Sequence, residues 1–525
     1  MESTELVRWP DLVVILLGLA TMVVIGIYCA RKANTADGYF LADRRMPGWV
    51  VAFSIMATII STGTFLALPG NTFKNNWSFV PSHVLYVIPA AVAYFIFMPF
   101  FRRGNVRTAY EYLELRFGVW ARVYGATAFL FYHMFRAGFV LYAVSLPFET
   151  MINLDAPGVM PSIICILGVL VAIYTIAGGL EAVIYTDFLQ GVALIIGGLL
   201  CTPIMASLVA DGAGVMAGMS QLVSEAYAAD KFSLGSTAWN FQEKTVWVII
   251  MVYQFQFLQM CCTDQSMVQR YLAIRTDREA RQGFVLSTLL TVPVWVYFSF
   301  VGSALFVYYA HFPEQLKEGL EPEQVFPYFI LTMVPAGVAG FVIAGLLAAA
   351  MSTLDSSINA SAATVTTDFY RRFRPQAGDE RHYLRVGRWA SVLFGMIMIG
   401  IALMIHYSRT ETLMEIQTVV YPVVSAGMLS LFLLGFLTVR VGSRAAAIAT
   451  TATVLLVGTW TILITEFGKE QFPYLASLLP NQFWIGVLPH LFLILVAYLA
   501  SFLLPRRAAT GLENLTIWTS ESPEQ

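Results

Sequence analysis

The stretch "SIMATIISTGTFLALPG", Ser54 to Gly70, is apolar enough to enter a bilayer, yet it places Ser61, Thr62, Gly63 and Thr64 together at its middle. A glycine flanked by hydroxyl residues is where a membrane helix can unwind. Unwound backbone is tolerated at that depth only where its carbonyls line a protein cavity rather than face lipid. The stretch therefore predicts an interrupted span, and with it a polar site in mid-membrane.

The remainder of the 525-residue chain agrees with a membrane setting: it is 58% hydrophobic and 12% charged, about half the charge of an ordinary soluble domain. Spanning the hydrocarbon takes about 20 mostly apolar residues as a helix. Thirteen segments meet that test: 11–30, 48–70, 79–101, 119–148, 159–178, 183–206, 244–263, 282–310, 335–366, 385–407, 415–440, 445–466 and 485–505. The runs are continuous rather than short and alternating, which excludes a β-barrel and predicts an all-α polytopic membrane protein. Segment 324–334 is too short to cross and reads as a half-helix or an interfacial piece, and 207–243 as a surface stretch with a short helix. Residues 1–507 form a single transmembrane domain, and 508–525 read as a disordered cytoplasmic tail.

Charge sets the expected orientation. The first apolar run, Leu12 to Ala30, is followed by Arg31 and Lys32 rather than preceded by cations, so it reads as a retained helix and not a secretory signal. With the N-terminus outside, the inner segments collect 23 of the 31 lysines and arginines and the outer ones seven, Arg136 belonging to neither. Cations concentrate on the cytoplasmic side, which predicts a multi-pass protein of the cell membrane with its C-terminus inside. The formal net charge of −2 gives no reason to expect a nucleic-acid partner. The five cysteines lack metal-ligand spacing and read as small core residues.

Two further spans carry groups that lipid does not welcome. "AVIYTDFLQGVALIIGG", Ala182 to Gly198, holds Thr186, Asp187 and Gln190, and "GLLAAAMSTLDSSINASAAT", Gly345 to Thr364, holds Ser352, Thr353, Asp355, Ser356, Ser357 and Asn359. Positions 352, 355, 356 and 359 share one helical face. Hydroxyl residues in such spans also serve plain helix packing, but a carboxylate costs about 2.5–3.5 kcal/mol to insert and is kept opposite a cation, a donor or water. Oxygen donors suit a hard cation. A proton relay uses carboxylates too, but the accompanying hydroxyls favour sodium; the alternative is that Asp187 is merely paired with an arginine at the inner membrane edge. Arg136, deep in "FYHMFRAGFVLYAVSLP", suits a substrate carboxylate gripped by two parallel hydrogen bonds; an ion pair with Asp264 or Asp355 is the alternative. Phe79 and His83, one turn apart, either line the same cavity or are ordinary packing.

Three blocks, "YTIAGGLEAVIYTDFLQGV" (Tyr174 to Val192), "TDQSMVQRYLAIRT" (Thr263 to Thr276) and "AAAMSTLDSSINASAATVTTDFY" (Ala348 to Tyr370), resemble the sodium/solute symporter family in their order along the chain. The resemblance implies a leucine-transporter-like core of five plus five helices in inverted repeat, about 48–206 and 244–440, the first helix of each repeat being broken, with extra helices at 11–30, 445–466 and 485–505. It implies Na+ at one or two sites: the carbonyls of Ala57, Ile60 and Ala349 with the hydroxyls of Ser352 and Thr353, and a second set of Asp187, Ser352, Asp355 and Ser356. Asp355 stands where relatives often carry serine. Ser61, Thr64, Phe79 and Arg136 are placed as in the sialic acid transporters, whereas His83 stands where those have a neutral amide.

The function expected is sodium-coupled import of a small organic anion by alternating access, sialic acid or another acidic sugar first and a monocarboxylate second. A neutral sugar or other neutral solute is the alternative substrate, and a cation channel the alternative class. No H-E-x-x-H or G-x-S-x-G spacing occurs that would suggest an enzyme. A monomer in the lipid bilayer suffices for such a cycle.

Overall fold

The computed structural model describes residues 8–30, 35–61, 63–103, 106–152, 158–240, 242–375, 379–408, 423, 427–504 and 512–519. Thr62 and the first part of segment 415–440 lie outside the described residues. The spans are α1 (Trp9–Ala30), α2 (Gly48–Ile59), α3 (Gly63–Lys74), α4 (Val80–Arg103), α5 (Val119–Ile152), α6 (Val159–Ile173), α7 (Gly178–Val209), α8 (Val246–Thr263), α9 (Asp277–His311), α10 (Pro322–Met333), α11 (Val338–Thr364), α12 (Glu380–Ser408), α13 (Met428–Leu437), α14 (Ser443–Ile464) and α15 (Leu488–Leu503). Each of the thirteen expected segments holds a helix, but among the described residues nine helices are long and apolar enough to cross a membrane, ten with the bent pair α2–α3; α6, α13 and α15 are shorter. The half-helix expected at 324–334 is α10, opened by a capping box between Glu321 and Gln324 with Pro322 in the first turn. The surface helix expected within 207–243 is Val215–Ala228.

Among the described residues, two spans are interrupted. α2 and α3 meet at 59°, the chain being extended at Ile60 (φ −79°, ψ 99°). The second interruption is Asp264 (φ −77°, ψ 121°), where α8 stops and a nine-residue helix, Gln265–Ala273, begins. Asp264 makes that start by capping: its Oδ1 accepts from the backbone N–H and the hydroxyl of Ser266, at 2.8 and 2.6 Å.

α11 is the most buried of the spans and packs against α7, α1, α5 and α12. It approaches α7 closely because Gly345 offers no side chain: a Cβ there would stand 3.1 Å from the Ala193 carbonyl. α6 and α7 are joined through Gly179, held at φ 60°, ψ −158°, where a Cβ would meet the Tyr39 carbonyl at 2.6 Å. Gly179→Ala is expected to lower the melting temperature of the purified protein, since that backbone region is nearly confined to glycine and strain of this kind costs about 1–3 kcal/mol. An unchanged melt would show that the joint relaxes.

One end of the bundle is tied by arginine. Arg122 donates to Asp368 (2.7 Å), Glu114 (2.9 Å) and Glu111 (3.3 Å). Arg116, fully buried, donates to the Gly435 carbonyl in the last turn of α13 and to the Thr438 and Val441 carbonyls just beyond it. A hydrogen bond from Arg372 holds the Glu114 carboxyl below its usual range. The count of loop cations thus needs correction: Arg116, Arg122 and Arg270 are interior groups with assigned partners, not solvated loop charges. Residues 512–519, expected in a disordered tail, are also ordered here. Leu512 and Thr516 are buried. Ile517 N–H and Trp518 Nε1–H donate to the Phe436 and Leu437 carbonyls at 3.0 and 2.8 Å, which lack intrahelical donors at the end of α13.

Candidate functional site

α2 stops at Ile59, so the carbonyls of its last turn are released from helical bonding. α11 packs against this end, and Thr58 Oγ1 lies 3.5 Å from Ser356 Oγ. On α11 the Thr353 hydroxyl donates back to the Ala349 carbonyl at 3.3 Å, bringing those two oxygens together. Ser352 Oγ is buried with no hydrogen-bond partner. Ala57, Ile60, Ala349, Ser352 and Thr353 are all buried between these elements, and the donors they offer are oxygen only.

Asp187, on α7, is fully buried and its Oδ2 is engaged. Arg270 Nη2 donates to it at 2.8 Å, and Ser54 donates to it as well. The same Arg270 nitrogen reaches Ser356 Oγ at 2.6 Å, while Arg270 Nε donates to Ser54 at 2.8 Å. Asp187 and Ser356 are therefore brought together, as the sequence pattern leads one to expect, with a guanidinium between them. Asp187 Oδ1 is not engaged by Arg270 or Ser54; the Ser352 hydroxyl, which has no other partner, stands beside this carboxylate and can donate to it. Ser356 donates to the Ser352 carbonyl and lies 3.3 Å from Asp355 Oδ1. A cation between Asp187 Oδ1 and Ser352 Oγ would take the place of that hydroxyl–carboxylate contact.

The predicted solute residues fall into two adjoining groups. Arg136, half-buried, donates to the Thr58 carbonyl at 3.4 Å, at the end of α2. Ser61 follows on the break and is half-buried. Thr64 Oγ1 accepts from Trp295 Nε1–H at 3.2 Å. Trp295 in turn packs edge-on against His83, ring centroids 4.6 Å apart. His83 Nδ1 bonds the Phe79 carbonyl at 2.8 Å, so this histidine is buried among rings and does not snorkel. The Phe79 ring carries the Lys244 ammonium at 4.5 Å, and partial burial there draws that amine below its usual range.

Asp264, one alternative partner for Arg136, takes its hydrogen bonds from Ser266 and from His133, whose Nε2–H donates to Oδ2 at 2.9 Å. His133 Nδ1 lies 3.0 Å from Ser357 Oγ on α11.

Four participants escape a reading of the sequence alone. Arg270 hides in a run of basic residues that looks like a loop, and Ser54 and Trp295 look like packing. His133 carries a usable signal: it lies three residues before Arg136, on the same helical face.

Comparison with known proteins follows the same line. The Sodium:solute symporter family model matches residues 39–463. The sodium/sialic acid symporter NanT of Aliivibrio fischeri is 30% identical over 483 residues, 92% of this chain and 91% of that protein. The sodium/sialic acid symporter SiaT of Proteus mirabilis is 29% identical over 471 residues, 90% of each chain. A solved Na+-coupled sialic acid symporter, in a substrate-bound outward-open state described as revealing a novel Na+ site, matches with a TM-score of 0.84 at 27% identity, over 95% of this chain and 99% of that one.

Proposed function

The chain belongs to the sodium:solute symporter family, and from that premise we propose that it imports an acidic sugar of the sialic acid class together with sodium. It is a multi-pass, sodium-coupled symporter of a small solute. The observation that carries the substrate class is Arg136, a half-buried guanidinium held at the end of α2, where the break carrying Ser61 and Thr64 begins. A carboxylate is what such a fork matches. Lys244, above Phe79, adds a second positive charge on the approach to that site. His83 and Phe79 form an aromatic wall against which the body of the sugar rests.

The primary sodium is assigned to the carbonyls of Ala57, Ile60 and Ala349 and the hydroxyls of Ser352 and Thr353. A second site is assigned to Asp187 with Ser352, Asp355 and Ser356, supported by the buried Asp187 Oδ1 and Ser352 Oγ, which stand together and have no other partner. Arg270 weakens it: like charges 4 Å apart repel by about 4 kcal/mol at an effective dielectric near 20. The second ion is therefore the more loosely held. The ion links α2 to α11, so it favours one arrangement of these helices, and that difference in affinity couples it to the solute. The excess of cations on the inner segments supports an orientation with the arginine-rich end and the C-terminus in the cytoplasm and the N-terminus outside. The repeats are about 48–206 and 244–440, each opening with its interrupted span.

The test is uptake of radiolabelled sialic acid into proteoliposomes under an inward sodium gradient. Uptake is expected to collapse when choline replaces sodium and to fall again in Ser352→Ala. Accumulation indifferent to the choline exchange overturns the sodium scheme. Sodium-driven uptake of neutral solutes with no response to sialic acid overturns the substrate class.

A further inference from the structure

One face of α5 holds both interruptions. Arg136 reaches the Thr58 carbonyl at the end of α2, while three residues earlier His133 reaches Asp264, the residue on which the second interruption turns. The other ring nitrogen of His133 meets Ser357 at 3.0 Å, and the Ser357 hydroxyl donates to the Thr353 carbonyl at 2.8 Å. A continuous chain of short polar contacts thus runs from Thr353 through Ser357 and His133 to Asp264, and on to the Ser266 N–H that starts the helix Gln265–Ala273. Each of these side chains is buried. Both ring nitrogens of this buried histidine are satisfied, and by groups on two different elements.

We propose that His133 is a positioning residue that couples sodium binding on α11 to the conformation of the second interruption. Sodium drawn to Ser352 and Thr353 fixes the register of that turn of α11, Ser357 follows through its bond to Thr353, and His133 transmits the setting to Asp264. This rests on the reading of Ser352 and Thr353 as sodium ligands. It adds a route by which the ion acts on an element it does not touch.

Cys261 and Cys262 lie three and two residues before Asp264, both buried, and serve as reporters once Cys29, Cys165 and Cys201 are replaced by alanine. In the full-length protein in lipid nanodiscs, sodium is expected to slow maleimide labelling of the pair by about fivefold or more, the low end of ordinary coupling between sites. In His133→Gln and in the milder Ser357→Ala, that slowing is expected to fall to less than about twofold, with the midpoint for bound radioactive sodium within about threefold of the parent.

Slowing retained in both variants overturns the proposal, as does labelling in the parent that ignores sodium. Variants that lose sodium binding outright also overturn it, because His133 would then merely hold the sodium site together. Thr353→Ala separates this claim from the one beneath it. If that variant binds sodium and is protected like the parent, the ligand assignment fails and takes the coupling route with it; if sodium binding is lost there while His133→Gln is protected like the parent, the coupling claim fails alone.

Discussion

Arg136→Ala is expected to abolish uptake of sialic acid while sodium binding remains measurable. Removing one partner of a buried, hydrogen-bonded charge pair costs about 2–5 kcal/mol, which puts the loss in substrate affinity at about thirtyfold or more. The contact of Arg136 with α2 is to the Thr58 carbonyl, which is not among the assigned ligands, so radioactive sodium should still bind. Arg136→Lys keeps the charge but not the planar fork and is expected to fall between the two. Acid uptake intact in Arg136→Ala would assign the arginine to structure and return the neutral-solute alternative.

The second large effect belongs to Arg270. Arg270→Ala leaves the fully buried Asp187 without its guanidinium, a change worth about 3–5 kcal/mol when one member of a buried pair is removed. Low recovery and a depressed melt are expected, with transport lost. Asp187→Asn/Arg270→Gln, which removes both charges, should recover much of the stability. Sodium supplies the discriminating measurement. Added sodium should raise the melting temperature of Arg270→Ala more steeply than that of the parent, because the ion becomes the remaining positive partner of Asp187. Equal sodium responses in the two proteins would separate Asp187 from sodium altogether, and the second site would then be withdrawn.

The legible parts of this molecule were those written locally. A run of 20 apolar residues announces a span, and Ser-Thr-Gly-Thr inside one announces a break. The second interruption is silent by that rule. "MCCTDQSMV" contains no glycine or proline, and the chain turns there because Asp264 caps the following helix; only the family resemblance pointed to it. Arg270 was illegible for a different reason. Its neighbours Arg275, Arg278 and Arg281 look like a solvated cluster, and the carboxylate that claims it lies 83 residues upstream. Asp187 was rightly singled out as a group in need of a positive partner, but composition cannot say whether that partner is an ion or a side chain. The ordering of residues 512–519 follows from carbonyls on α13, a demand visible only once the helix end is placed.

The 83 residues between Asp187 and Arg270 also set a clock on biogenesis. Ribosomes add about 5–20 residues per second, so α7 is threaded out of the ribosome about 4–17 seconds before its counter-charge exists. Throughout that interval the nascent helix carries a carboxylate with no mate, and the insertion machinery must shelter it. The first half of the protein becomes a settled occupant of the membrane only when the helix Gln265–Ala273 arrives to claim it.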